Sequence, residues 1–551
     1  KENGYNVISW QQVIDAENGK GTLPDNAVLL SFDDGYETMY NVVFPLLKAY
    51  HYPAVFAPVT GWLDTPENQK ITYADKMLDR SVFATWSQVK EMEQSGLVEV
   101  ASHTHNLHNG INANPSGGQL PAVIAPEYKN GKYETEDAYK NRLKSDFART
   151  VQTLVNHIGK KPRVMVWPYG QFNDVAVQIA RQAGMPHYFS LGEKIINKVG
   201  DKHIGRLLLN AETDLNTVKN YLDGIDESKQ IQRVLHVDLD YVYDANKAQQ
   251  AKNLDKLIER IYRYGVTTVY LQAFSDPDGD GVADALYFPN KYLPVRDDIF
   301  GRIAWQLQTR AGVQVYAWMP VLAFDLRKSV KEAEYVIDSR TGKPSTKAYL
   351  RLSPYNKQNV EIIKSIYNDL SFYAKFNGIL FHDDAFLTDF EGAEGDHAEG
   401  IVSPQAKQKT QDLIQLTHQL TDALKPYFLR GSYSLKTARN LYASVITNPN
   451  AEEWLAQNLK TLTDNYDTTA IMAMPYMENE QPISQKEAYQ WFASLIENVK
   501  AQAPLEKVLF EFQAVNWRTQ KPIPESELID WMTLLQKNHI YSYGYYPDNF
   551  L

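Results

Sequence analysis

Two successive series of short apolar strands, each alternating with helical stretches, constrain this chain more than any other feature of it. In the first series the strand-like runs are 27–32, 53–58, 98–102, 163–167, 186–190 and 204–209. Helical patterns such as Tyr40–Ala49, Trp86–Ser95 and Tyr139–Ile158 lie between them. Strands that alternate with helices are joined by crossovers and run parallel, which selects an α/β architecture. The second series supplies strand candidates at 234–238, 268–272, 314–318, 378–381, 427–431, 470–473, 508–512 and 541–545. Eight βα units over about 320 residues is the count expected of a (β/α)8, or TIM-type, barrel.

A chain of 551 residues exceeds one ordinary core, so two domains of roughly 200–300 residues each are expected. The polar segment Gly224-Ile-Asp-Glu-Ser-Lys-Gln230 interrupts the alternation, which places the domains at 1–225 and 232–551. Residues 109–138, rich in Gly, Pro and Asn, read as a long excursion. The sequence contains no cysteine, so disulfides and thiolate ligands are excluded and a metal must be held by His or carboxylate. A net charge of −11 argues against nucleic acid and for a neutral or cationic partner. Lys1-Glu-Asn-Gly-Tyr5 reads as the end of a helix followed by a C-cap turn, so further chain is expected upstream.

The run Ala27-Val-Leu-Leu-Ser-Phe-Asp-Asp-Gly-Tyr36 is apolar until two acids and a glycine close it. Adjacent strand residues point to opposite sides, so one carboxylate can hold a metal while the other handles a proton. Val98-Glu-Val-Ala-Ser-His-Thr-His-Asn-Leu-His108 ends another strand with three histidines. A pair of acids before glycine is commonly a turn or helix cap, and a lone histidine is commonly structural. Their conjunction is what points to a mononuclear hydrolytic metal site with an open position for water.

Together with Val166-Trp-Pro-Tyr-Gly170, these segments resemble the polysaccharide deacetylase family (NodB homology, carbohydrate esterase family 4) over residues 1–225. The resemblance implies a distorted (β/α) barrel. It also implies that Asp33 is the general base, that Asp34 and His103 are metal ligands, and that Pro168 and Tyr169 wall the substrate groove. The Tyr169 N–H would then help hold the oxyanion. The family's second histidine lies four positions after the first, which here is Leu107; His108 is the favoured ligand and His105 its rival. The arginine that the family places two residues before Pro-Tyr is Val166 here, so the usual tether on the base is absent. The acid histidine has no clear match. His187 and His203 are weak candidates, and a position upstream of Lys1 is the alternative.

The strand ends of the second series carry groups that handle sugars. They include Asp238 and Asp240 in His236-Val-Asp-Leu-Asp-Tyr-Val-Tyr243, then Trp318, and Asp383 and Asp384 in Phe381-His-Asp-Asp-Ala-Phe386. Later come Tyr476, Glu511, Trp517, Tyr546 and Asp548. Barrel enzymes assemble their sites at these ends. Glycoside cleavage needs a proton donor and a group that stabilises the oxocarbenium-like centre. The donor is expected from Asp383 or Asp384, raised in pKa by its neighbour's charge. The second group is expected from Asp238, Asp240, Glu511 or the substrate's own N-acetyl group. Asp276-Pro-Asp-Gly-Asp-Gly281 has the Asp spacing of a calcium loop, but Tyr287 stands where an EF-hand needs Glu. A Ca site and a rigid acidic loop are both readings of it.

Over nearly its whole length the chain is similar to the periplasmic poly-β-1,6-N-acetyl-D-glucosamine deacetylases of biofilm export systems. Beyond the segments above, Lys436-Thr-Ala-Arg-Asn440 and Tyr545-Tyr-Pro-Asp-Asn-Phe550 carry this likeness. It implies partial N-deacetylation by the first domain and binding and endo-cleavage of the partly deacetylated polymer by the second; Zn, Ni, Co and Fe(II) all suit the Asp-His-His site as its one divalent transition metal. It also implies an outer-membrane lipoprotein facing the periplasm and an export porin as partner. Two rivals remain: a barrel that only binds polymer, and a chitin or peptidoglycan deacetylase with an accessory barrel.

Overall fold

The computed structural model describes residues 4–192, 196–223, 231–345, 348–392, 402–431, 434–479 and 481–547. The chain divides into two compact units, Lys1–Ser228 with Leu429–Tyr433, and Lys229–Phe428 with Ser434–Leu551.

In the first unit, β1 (Leu30–Asp34), β2 (Ala54–Pro58) and β3 (Val98–Val100) form one parallel sheet. A second is built from β4 (Val164–Val166), β5 (His187–Leu191) and β6 (His203–Arg206). A parallel bridge between Ser102 and Met165 joins the two, so six strands follow one another in sequence order. Arg206 at the end of β6 reaches back to Ser31 and Asp33 on β1, so the sheet curls into a distorted barrel stapled by side chains. Every residue of β2 is buried, as expected for a parallel strand covered on both faces. The helix Glu136–Ile158 meets the ends of β2 and β3, where Thr150 shares hydrogen bonds with Thr60 and Ser102. Thr135 caps that helix through Ala138 N–H, Glu136 and Asp137 complement its dipole, and Gly159 ends it at φ 75°. The expected excursion at 109–138 contains two short antiparallel hairpins, Gly110–Asn112 with Gln119–Pro121 and Tyr128–Lys129 with Lys132–Tyr133.

The second unit is a closed barrel of eight parallel strands. These are β7 (Arg233–Val237), β8 (Thr268–Gln272), β9 (Gln314–Met319), β10 (Gly378–Phe381), β11 (Lys436–Tyr442), β12 (Thr468–Met472), β13 (Val508–Gln513) and β14 (Tyr543–Tyr546). The fifth strand departs from the expectation at 427–431. Tyr427 and Phe428 are buried, but they follow the end of the helix Pro404–Leu424, and Phe428 N–H bonds Leu424 O. The true strand, β11, is polar in sequence because it carries buried Arg439 and Asn440 on opposite faces: Asn440 lines the barrel cavity, while Arg439 donates to the Tyr466 hydroxyl and the Ala385 carbonyl. An apolar run marks burial, not extension, and here that ambiguity decided the error.

Candidate active sites

In the first unit three strand ends converge. Asp34 closes β1 in a left-handed conformation, φ 72°, which turns its carboxylate away from that of Asp33. Asp34 Oδ1 lies 3.3 Å from His103 Nε2 and 3.2 Å from His108 Nε2. His103 Nδ1 donates to the Val166 carbonyl at 2.7 Å, which leaves Nε2 as the free lone pair. Thr104, φ 70°, turns the chain after His103. The next turn is anchored from below by Asp146, which accepts the N–H groups of His105 (2.8 Å) and Asn106 (2.7 Å). Burial pushes Asp146 up to about 6 against these two bonds. His105 is turned aside, its Nδ1 2.9 Å from Thr60 Oγ1. The five-residue spacing therefore brings His108, not His105, to the cluster.

His108 is fixed by packing: its ring lies 5.0 Å from Trp62 and 4.5 Å from Tyr169. Tyr73 donates its hydroxyl to the other Asp34 oxygen at 2.8 Å. Burial opposes charge on Asp34, but the two imidazoles outweigh it and hold the carboxyl well below its usual range. The donor set fits a divalent metal. Ligands about 2.0–2.1 Å from a tetrahedral ion stand about 3.3 Å apart, and the two Asp34–His separations are 3.3 and 3.2 Å.

Asp33 points to the other side, where Arg206 grips both its oxygens at 2.7 and 2.8 Å. The carboxylate of Asp33 is therefore tethered, from β6 rather than from the position of Val166, which corrects the expectation that a tether is absent. Tyr169 follows buried Pro168 at φ 59° and stands 40% exposed beside His108. Gly170 permits this turn, since a Cβ there would sit 2.6 Å from Leu191 N. Neither histidine named as an acid candidate joins the cluster. His187 Nε2 meets Glu17 at 2.8 Å, and His203 Nε2 lies 2.5 Å from Ser190 Oγ.

In the second unit a cavity of about 700 Å³ occupies the C-terminal mouth of the barrel, lined by Asp238, Asp240, Trp318, Asp383, Glu511, Trp517 and Tyr546. His236, Gln272, Phe274 and the Asp276–Gly281 loop share it. Asp383 receives the hydroxyls of Tyr349 (2.9 Å) and Tyr442 (2.9 Å), and His382 Nδ1 lies 2.8 Å away. Burial raises Asp383, but the His382 charge and these contacts outweigh it and keep the group below its usual value. Asp384 is fully buried and outside the cavity lining; its carboxylate accepts the N–H groups of Val321, Leu322 and Ala323. The expectation that one of this pair is raised by the other's charge is thus corrected. Asp383 is stabilised as an anion, and burial, not Asp383, lifts Asp384.

The raised carboxyls lie elsewhere on the cavity floor. Burial, then the Asp240 charge, pushes Asp238 up to about 7. Burial pushes Glu511 up to about 8, against one bond from Asn440 Nδ2 at 2.7 Å. His236 is pulled down to about 3 by burial and the His382 charge. Asp238 Oδ1, Glu511 Oε1, Trp318 Nε1 and both His236 nitrogens are buried without a hydrogen-bond partner. Such orphans are rare in a finished core and fit a cavity that receives a polar ligand. Asp240 is occupied: Arg296, Ser275 Oγ (2.9 Å) and Tyr287 OH (2.5 Å) all meet it. Tyr287, at the EF-hand Glu position, thus serves Asp240, while Asp276, Asp278 and Asp280 gather within 4.8 Å of one another. Tyr476 donates to Glu527 at 2.5 Å and does not line the cavity, and Asp548 lies outside the described residues.

Residues 20–188 match the family described as Polysaccharide deacetylase, and residues 236–546 match Hypothetical glycosyl hydrolase family 13. The chain is 40% identical over 577 residues to the poly-beta-1,6-N-acetyl-D-glucosamine N-deacetylase of Escherichia coli (strain K12), spanning 100% of this chain and 85% of that one. It is 28% identical over 209 residues to the protein of the same name from Staphylococcus aureus (strain N315), spanning 38% of this chain and 62% of that one. Among solved structures, the PgaB (BpsB) glycoside hydrolase domain from Bordetella bronchiseptica is 38% identical with a TM-score of 0.53, covering 58% of this chain and 95% of that one.

Proposed function

The chain belongs to the poly-β-1,6-N-acetyl-D-glucosamine N-deacetylase family, and from that premise we propose that its first unit removes acetyl groups from poly-β-1,6-N-acetyl-D-glucosamine. The observation that carries this reading is the Asp34–His103–His108 cluster beside a separately held Asp33. Asp34, His103 and His108 would hold one divalent metal (Zn, Ni, Co or Fe(II)), which supplies Lewis acidity toward a water and the acetamide carbonyl. Asp33 takes the proton of the attacking water and returns it to the sugar nitrogen as the C–N bond breaks, so that acetate and the amine leave. The Tyr169 N–H, presented on its left-handed turn, donates to the developing oxyanion. Tyr73 keeps the second Asp34 oxygen oriented. Acetate release from β-1,6-linked N-acetylglucosamine oligomers tests this. Metal-loaded protein should release acetate and Asp34→Ala should not, whereas equal release by both would sink the assignment.

For the barrel, the reading is binding and endo-cleavage of the partly deacetylated polymer. What supports it is an ionised Asp383 facing a floor where Asp238 and Glu511 are raised toward neutrality. Carboxyls pushed apart in this way divide acid from base roles. The proton donor therefore falls to Asp238 or Glu511, and Asp383 stabilises the positive centre. Ammonium groups created by deacetylation suit a cavity rimmed by Asp276, Asp278 and Asp280. Product sizing of a partly deacetylated polymer, with Asp383→Asn as the control, decides between cleavage and binding alone. A periplasmic, outer-membrane-anchored setting and an export porin as partner complete the proposal on the strength of the family likeness. Membrane fractionation of producing cells tests the location.

A further inference from the structure

We propose that Arg206 is the positioning residue for the base of the first site, taking from the far end of the sheet the role that Val166 cannot fill. The inference rests on the deacetylase reading above, in which Asp33 is that base. Arg206 Nη1 and Nη2 meet Asp33 Oδ1 and Oδ2 at 2.7 and 2.8 Å, a two-point contact that fixes the plane of the carboxylate as well as its place. The guanidinium is itself restrained. Nη1 also donates to Ser31 Oγ at 2.8 Å, Nε donates to the Ser190 carbonyl at 3.2 Å, and the group lies 5.7 Å from the Phe189 ring centroid. Four of the five guanidinium donors are thus committed to β1 and β5.

A carboxylate offers about four lone-pair positions, and a fork contact uses one on each oxygen. One position per oxygen remains to accept a water proton, so the grip orients Asp33 without disabling it. The Asp33 side chain is 26% exposed and that of Arg206 12%. A two-point pair this sheltered also contributes to folding, so orientation is separated from stability by reading kcat apart from KM and metal affinity. Lysine could not replace Arg206, since an ammonium makes a point contact and cannot set a plane.

The test is acetate release by the full metal-loaded chain from β-1,6-linked N-acetylglucosamine oligomers. Arg206→Ala should lower kcat about 100-fold, the loss expected when a reacting group is misplaced by about 1 Å. KM and metal affinity should stay within about threefold, since neither substrate binding nor the metal cluster uses Arg206. Guanidinium ion at about 50 mM, far below denaturing levels, should restore about tenfold of the loss. Arg206→Lys should fall between wild type and Arg206→Ala, and it supplies the same readout if the alanine variant does not fold. A kcat within about threefold of wild type overturns the proposal. So does a loss that guanidinium leaves untouched and that appears instead in KM or metal affinity. No acetate release by the wild type would overturn the underlying deacetylase reading, and the inference with it.

Discussion

Asp383 and Asp384 are neighbours in sequence with opposite surroundings: Asp383 faces the barrel cavity beneath the hydroxyls of Tyr349 and Tyr442, while Asp384 is turned into three backbone amides. Two substitutions should therefore separate. Asp384→Ala strands the N–H groups of Val321, Leu322 and Ala323 and should cost about 3 kcal/mol or more of stability in urea unfolding. Asp383→Asn, near-isosteric and at the cavity wall, should stay within about 1 kcal/mol of wild type while losing polymer shortening. Identical stability of the two variants would contradict this division.

Removing the metal should silence the first site without unfolding the chain. Chelator-treated protein is expected to release acetate at least about 100-fold more slowly, and added Zn, Ni or Co should restore it. His105→Ala should bind metal like wild type, because its ring faces Thr60.

Tyr73 touches the cluster through its hydroxyl bond to Asp34 Oδ2 and through its ring, stacked 5.7 Å from that of His108, and phenylalanine would keep the ring. Outer-shell partners of this kind are commonly worth about 10–100-fold in metal affinity. Tyr73→Phe should weaken Zn binding by that factor in chelator competition, with the melting temperature of the metal-free protein nearly unchanged. Unchanged affinity would show that the hydroxyl is dispensable.

The raised carboxyls on the barrel floor carry a sign that can be checked. Burial lifts Glu511 to about 8 and Asp238 to about 7, above their unfolded values. The folded state thus binds more protons than the unfolded one from about pH 4 to about pH 8, and stability falls as pH rises through that window. Urea unfolding of the second unit should show a lower midpoint at about pH 9 than at about pH 5. Glu511→Gln, neutral at both, should flatten that slope; an unchanged slope would mean that Glu511 stays ionised.

Legibility in the sequence followed the range of the contacts. Asp33, Asp34, His103 and His108 could be read because each sits where an apolar strand ends, and strand ends are marked locally. Arg206 carries no such mark: its partner is 173 residues away, and Ile204-Gly-Arg-Leu207 reads as an ordinary strand. The barrel's fifth strand escaped for the converse reason, since Arg439 and Asn440, buried on opposite faces of β11, give it a polar appearance. The adjacency of Asp383 and Asp384 was visible, but their roles depended on the path of the chain at 321–323, which supplies the amides that claim Asp384.

Asp34, Thr104 and Tyr169 all have positive φ, and none is glycine. Each such residue holds about 1–2 kcal/mol of conformational strain. The three strand ends that build the first site are thus also where this fold is set against itself, and glycine at any of them would relax the backbone. Selection for heat tolerance alone would be drawn to these turns, and the relief gained there would come out of the same rigidity that aims the carboxylate, the imidazole and the amide. In this unit, robustness and activity compete for the same few peptide bonds.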